Sequence, residues 1–456
     1  MQQPSVKNLP KDKRIKSFKE VSLGFSKKIC VEEARRCPQC ADPVCMRGCP
    51  LGIDIPGFIR LLREGDPKAA LEKIREQNSL PAVCGRICTA PCEEACILSE
   101  ENAPIGIRAL ERFVADYGRS KSSHKRIGVR NNKKIAIIGS GPTGLSAAAT
   151  LARLGYPVTI FEVHDLPGGV LRYGIPNFRL PKNILDSEIE EIKSYGVEIK
   201  TNILIGQTLT IEDLLKQGFQ AVLLALGAGA PKLVDLPGDN LGGVYYDNEF
   251  LMRVNELKEN NFFKIESSFY VGPRMAVIGS NFAALDCARM GVRLQRQVMM
   301  IFSHTEDDMQ VHGQEKEYAK EEGVQLESLV KPLEILSNDH HFVAGLKCLR
   351  MDFADANSTE QSAHWEIKAV EGSEFVMDVD TVILAMGQKT NSLISRLFPK
   401  VRVNERGFIW TDPATGSTSM SGVFAGGNVT TGAGPVVDAI AAGKKAAENI
   451  HRYLKG

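Results

Sequence analysis

The chain has 456 residues, 43% hydrophobic and 24% charged, with a formal net charge of +1. That length exceeds one ordinary core and suggests about three domains. The balanced charge excludes the one-signed field expected of a nucleic-acid or acidic-membrane binder. No run approaches the ~18 apolar residues of a membrane span, and the lack of an apolar leader makes the cytoplasm the expected address.

From the start, Lys7–Lys28 is Lys-rich but carries Asp12 and Glu20, and it reads as a solvated, partly helical arm. Eight of the eleven cysteines follow in two groups. The first is Cys37, Cys40, Cys45 and Cys49-Pro50; the second is Cys84, Cys88, Cys92 and Cys96. Thiolates this close suit a soft metal centre. The C-x2-C-x4-C-x3-C-P run is close to the ferredoxin pattern, in which the last cysteine ligates a second cluster. Zinc competes, because C-x2-C is half of many zinc sites, though zinc usually takes a further well-separated pair. Disulfides are a third reading, disfavoured by a reducing compartment. Helical patterns cover Ile55–Glu64 and Pro67–Gln77, with breaks at Gly65-Asp66 and Asn78. The polar stretch Arg119–Lys134 reads as a linker.

Beyond it, β-branched runs alternate with Ala-rich helical stretches, the pattern of an α/β protein. Two units share a weak repeat. Lys134–Gly139 and Met275–Gly279 each run into a glycine turn, and Val222–Gly227 and Val382–Gly387 each end in small residues. A second dinucleotide-binding unit inserted into the first produces this layout. In the first, Gly139-Ser140-Gly141-Pro142-Thr143-Gly144 matches G-x-G-x-x-G, and Glu162 stands where an acid for the ribose hydroxyls is expected. The glycines serve the tight turn, the approach of backbone to pyrophosphate, and close helix–strand packing. The second unit reads Gly279-Ser280-Asn281-Phe282-Ala283-Ala284, with Asn281 in place of the second glycine. Its next strand, Val298–Phe302, leads into Ser303-His304-Thr305-Glu306-Asp307-Asp308, acidic where a 2′-phosphate wants arginine. A strand at Gly422–Phe424 and a helix over Val436–Leu454 close the chain. His304 and His312 read as exposed, Met299-Met300 as core, and Cys287 and Cys348 as structural.

In this order the motifs resemble the small (β) subunit of glutamate synthase, and with it the amino-terminal half of dihydropyrimidine dehydrogenase. The likeness rests on the Cys37–Pro50 run, Asn78–Arg86, Pro104–Tyr117, Gly168–Pro181 and Val423–Gly427. It implies a helical iron–sulfur domain over residues 1–125, an FAD domain in two parts, 133–245 and 379–456, and an NAD(P) domain over 246–378. It further implies two [4Fe–4S] clusters. One is on Cys37, Cys40, Cys45 and Cys96; the other is on Cys49, Cys88, Cys92 and Glu111, with Cys84 spare. FAD would meet Gly139–Gly144, Glu162, Gly169, Arg179 and Gly426-Gly427-Asn428. The nicotinamide cofactor would meet Gly279–Asp286, Ser303, His304 and Ala385–Gly387. The implied activity is an NAD(P)H-dependent oxidoreductase subunit that passes electrons through FAD and clusters to a large glutamate synthase subunit. A dihydropyrimidine dehydrogenase-like or nicotinamide–ferredoxin complex is the first alternative. A redox scaffold without nicotinamide binding, favoured by Asn281 and Phe282, is the second.

Overall fold

The computed structural model describes residues 3–101, 103–118, 131–259, 269–311, 313–353 and 367–456; His312 and residues 119–130 of the expected linker lie outside them. Helices Lys27–Arg36, Ile55–Arg63, Pro67–Arg75, Pro81–Ile87 and Ile107–Tyr117 build the amino-terminal unit. Two of these starts show their local cause plainly. Asp54 and Asp66 accept from the backbone N–H groups of Gly57 and Ala69, both at 2.9 Å, and proline follows in the first turn. Phe58, Ile59, Leu71, Ile74, Leu80 and Leu110 are buried between these helices. Gly85 lets two of them close. A Cβ there would lie 2.5 Å from the Arg112 backbone, and this approach brings Cys84 and Cys88 beside Glu111.

Two five-stranded parallel sheets follow. The first orders its strands Val423–Ala425, Phe219–Leu224, Lys134–Ile138, Val158–Phe161, Glu198–Lys200; the second orders Val244–Tyr246, Thr381–Leu384, Arg274–Ile278, Gln297–Ile301, Gln325–Glu327. The strand before each glycine turn is central, and its side chains are buried almost throughout, as a doubly covered parallel sheet requires. An antiparallel ribbon, Ala230–Pro231 against Gln388–Lys389, carries the chain out of the first sheet and back. The limits expected at 245/246 and 378/379 are therefore displaced. Val244–Tyr246 and Thr381–Leu384 both pair within the second sheet, on either side of the ribbon. The strand Val330–Ser337, the long strand Val343–Phe353 and two short strands add a small antiparallel sheet. Among the described residues no helix is long and apolar enough to cross a membrane.

The expectation of a solvated amino-terminal arm does not hold. The arm lies across both dinucleotide units: Val21 N–H donates to Phe178 O at 2.9 Å, and the Asn8 amide donates to Tyr318 Oη at 2.7 Å. Arg14 is buried and pairs with Glu321 and, at 3.3 Å, with Glu322. Glu322 also accepts from Arg289 and Arg293, while both guanidiniums lie over the Phe178 ring at 5.0 and 3.8 Å. Composition hid this, because the acids that Arg14 meets lie far along the chain. Burial alone would raise the Glu322 carboxyl, but hydrogen bonds from Arg293 and Arg289 and their charges hold it at about 2. The cluster is thus fully ionised at neutral pH. Glu322→Gln leaves buried guanidiniums uncompensated and is expected to cost about 3–5 kcal/mol. Urea denaturation at pH 7 checks this, and a loss under about 1 kcal/mol contradicts it.

Candidate functional site

The first glycine turn forms one wall of a cavity of about 370 Å³, lined by Gly139, Ser140, Gly141, Pro142, Thr143, Glu162, Gly169 and Asn428. The size is within the range of cofactor pockets. Gly139 has φ +102°, and a Cβ there would strike Ala225 O at 2.5 Å. Gly144 does not line the cavity; a Cβ on it would meet Gly139 O at 2.0 Å, so it keeps helix Pro142–Arg153 against the strand. Gly427, at φ +76°, likewise makes room for Thr143. Gly141 differs: a Cβ there meets no protein atom within 4 Å. Its bareness faces open space at a helix N-terminus, the place for a pyrophosphate. Glu162 is buried and accepts from Ser140 N–H at 2.9 Å and His164 N–H at 2.9 Å, which aims the carboxylate into the same cavity. These residues fit an FAD.

Arg179 is a correction. It does not line this cavity; it donates to Asp286 Oδ2 at 2.7 Å, and its guanidinium lies 5.6 Å over the Phe282 ring. Its sequence neighbours Phe178 and Asn177 anchor the loop on the arm and the second unit, which turns Arg179 that way. His164, Tyr173 and Asn248 also line the cavity and are not among the residues expected from the sequence. His164 packs on Tyr173 with ring centroids 4.4 Å apart; the signals for these two are the nearness of His164 to Glu162 and the place of Tyr173 within Gly168–Pro181.

In the second turn, Asn281 has φ −88°, so the position needs no left-handed backbone. Its amide folds back into the protein. Oδ1 accepts from Ala284 N–H at 2.9 Å and Nδ2 donates to Ala385 O at 3.0 Å, so the side chain caps the helix Phe282–Arg293. Phe282 and Ala283 are half-buried. Ser280 Oγ and His304 Nε2 are 2.7 Å apart, joining the turn to the end of the next strand. His304 Nδ1 donates to Thr305 O at 2.8 Å. Ser303 is exposed. Glu306 bonds Lys320 at 2.6 Å, and Asp307 is fully exposed. Ser303–Asp308, at the end of the next strand, holds no arginine.

The thiols assemble across the two sequence groups. Cys37, Cys40, Cys45 and Cys96 line one small apolar cavity. Cys49, Cys88 and Cys92 lie within electrostatic reach of one another and of Glu111, and buried Cys84 lies beside them. Burial, and after it the thiols of Cys37, Cys96 and Cys40, push Cys45 up to about 11. Burial likewise pushes Cys88 to about 12, opposed by a backbone N–H and reinforced by Glu111. Glu111 is itself raised to about 8 by burial, against a 2.8 Å hydrogen bond from Asn78. Such donors ionise readily only beside a cation, so both sets suit metal centres. Among the described residues no three side chains converge on a single ion, and a four-iron cluster spreads its thiolates wider than one ion does.

Residues 14–123 match the family described as dihydropyrimidine dehydrogenase domain II, 4Fe–4S cluster. Residues 133–443 match the pyridine nucleotide-disulphide oxidoreductase family. Over 96% of its length the chain is 32% identical to the small chain of NADPH glutamate synthase from Escherichia coli, of which it covers 94%. The chain belongs to the glutamate synthase small-subunit family. It is also 37% identical, over 90% of its length, to subunit beta of the NADP(+)-dependent formate dehydrogenase of Moorella thermoacetica, but spans only 60% of that subunit. Among solved structures, FprA of Mycobacterium tuberculosis with NADPH shares the fold, with a TM-score of 0.54 at 18% identity over 71% of this chain and 85% of that one. This family member is an oxidoreductase that uses FAD, NAD(P) and [4Fe–4S] clusters.

Two substitutions probe the sites separately. Gly141→Val meets no protein atom, so the variant is expected to fold and keep its iron while losing bound FAD; full flavin absorbance would sink the pyrophosphate assignment. Cys45→Ser is expected to halve the iron and acid-labile sulfide and leave FAD in place, which metal analysis beside the visible spectrum checks.

Proposed function

We propose that this family member takes electrons from a nicotinamide dinucleotide at the Gly279–Asp286 turn and delivers them to a partner of the glutamate synthase large-subunit kind. One cluster is held by Cys37, Cys40, Cys45 and Cys96, the other by Cys49, Cys88, Cys92 and Glu111. FAD and the clusters, when bound, convert an electron pair into single electrons. The chain's own residues support an order. Helix Lys182–Ser194 of the FAD unit meets helix Pro81–Ile87, which carries Cys84, through Glu188, which accepts from Ala82 N–H at 3.2 Å and lies within electrostatic reach of Glu111; it grips the iron–sulfur domain through Glu191 and Arg75. On this reading the second set lies towards the flavin and the first beyond it. This serial placement carries the reading. Gly48 ties the two sets: a Cβ there would strike Ala95 at 2.6 Å, so the segments bearing Cys45–Cys49 and Cys92–Cys96 are in direct contact.

The likeness to a formate dehydrogenase subunit keeps a different acceptor in view, and the folded-back Asn281 counts against a scaffold that has lost its nucleotide. Purification of the native protein with its bound partner, followed by mass spectrometry, tests the assignment. A glutamine amidotransferase–FMN subunit is expected, and a pyrimidine-reducing or formate-oxidising partner would replace that reading.

The rim of the second turn sets the expected nucleotide. Each charge-assisted hydrogen bond to a 2′-phosphate contributes roughly 1.5–3 kcal/mol. Here Ser303 offers one neutral donor, His304 is committed to Ser280 and Thr305, and Glu306, Asp307 and Asp308 oppose the phosphate. Both relatives carry NADP(H) in their names. We nevertheless expect NADH to reduce the bound flavin at least as fast as NADPH, and Ser303→Arg with His304→Arg to shift the preference towards NADPH. Stopped-flow reduction by each nucleotide decides, and a strong NADPH preference in the unaltered protein overturns the charge argument.

A further inference from the structure

We propose that electrons leave the chain through the groove beside Cys40, and that this groove fits an electron-accepting protein with an acidic face; the proposal rests on the electron-transfer reading above. The groove is open, about 960 Å³, and is lined by Arg35, Arg60 and Arg63 together with Cys40. Cys40 and Pro56 line both this groove and the first thiol cavity, so the cavity's edge meets solvent here.

The charge of the groove is uncommitted. Arg60 and Arg63 project from helix Ile55–Arg63 and Arg35 from the last turn of helix Lys27–Arg36. All three are exposed, and none pairs with an acid among the described residues. Of the two acids in the groove, Asp54 caps the helix through Gly57 N–H at 2.9 Å and lies 3.8 Å from Lys73. That leaves Glu64 against three guanidiniums. Ile97, next to Cys96, is 48% exposed and lines the thiol cavity that Cys40 and Pro56 share with the groove. Exposed apolar surface on the thiol cavity and unpaired charge in the groove suit an electron-transfer interface. In the second thiol set Cys84 and Cys92 are buried, Cys49 and Cys88 are half-buried, and the FAD unit lies against the helix that carries Cys84. Each encounter moves one electron from the chain to the oxidised acceptor, with no bond formed or broken. Complementary charge would raise the encounter rate and make it fall with salt.

The test compares three acceptors on the flavin- and cluster-loaded protein: cytochrome b5, an acidic haem protein; cytochrome c, a basic one; and a small uncharged dye. The unaltered protein should reduce cytochrome b5 at a rate that falls with ionic strength. Arg60→Glu with Arg63→Glu should lower that rate more than about tenfold at low salt, raise the rate with cytochrome c, and leave dye reduction, iron and flavin unchanged. Arg60→Gln with Arg63→Gln should fall between, and it carries the test if the glutamate pair loses iron. Dye reduction with no cytochrome b5 reduction, with no salt dependence, or with no effect of either pair overturns the groove as the exit. Failure of the unaltered protein to reduce even the dye overturns the electron-transfer reading instead.

Discussion

One cysteine from each sequence group lies with the other group, and the amino-terminal domain depends on that exchange. Cys96 lies with Cys37, Cys40 and Cys45, while Cys49 lies with Cys88 and Cys92. Each thiol set therefore joins a segment from before the helical core to one from after Asn78. A domain of short helices gains little from propensity or from its modest core. On the proposed ligand sets, metal–thiolate bonds between distant segments would supply what those helices cannot. Burial raises most of these thiols, so an arrangement that suits a metal would also make the fold depend on it.

The two dinucleotide turns show how one backbone geometry tolerates two chemistries. Gly141 and Asn281 both have ordinary negative φ, so neither is selected for a left-handed conformation. Gly141 keeps a surface bare; Asn281 keeps its amide turned inward on Ala284 and Ala385. The first glycine of each turn is different. Gly139 and Gly279 have φ +102° and +138°, and a Cβ on either would strike a carbonyl of the neighbouring strand. Position one is set by the fold, whereas position two is left free by it: bare at Gly141 and capped by its own amide at Asn281. That is why the second turn can depart from G-x-G-x-x-G without losing its shape.

Much of this was legible in the residues. The repeat at Lys134 and Met275, the inserted unit and the two thiol groups each follow from local patterns of one period or one spacing. What stayed hidden depended on contacts between segments far apart. Arg14 looked like part of a solvated basic arm because Glu321 and Glu322 lie in another domain. Arg179 was placed with the flavin by its phrase, but Phe178 and Asp286 turn it to the second unit. The domain limits slipped for a similar reason. Strand pairing, not strand order, decides that Thr381–Leu384 belongs to the second sheet.

These long-range contacts give the arm a place in the function. Phe178 lies between the arm's Val21 and the guanidiniums of Arg289 and Arg293, and the next residue, Arg179, pairs with Asp286 on the helix that begins at the second turn. A ribbon of two short strands carries the chain between the first sheet and the inserted unit, and Asn255 on helix Asp247–Glu259 adds a buried hydrogen bond to Tyr173 O at 2.8 Å. The buried charges around Glu322 add to the resistance against rotation. Four buried ionised groups hold one geometry far better than another, because any displaced charge is left uncompensated. The arm also reaches the iron–sulfur domain, where Glu20 pairs with Arg86 and Arg112 on the helices that carry Cys84 and Glu111. A single segment thus sets the nucleotide turn, the flavin cradle and the thiol sets in one frame. Fixed separation of this kind is what single-electron transfer between buried centres requires.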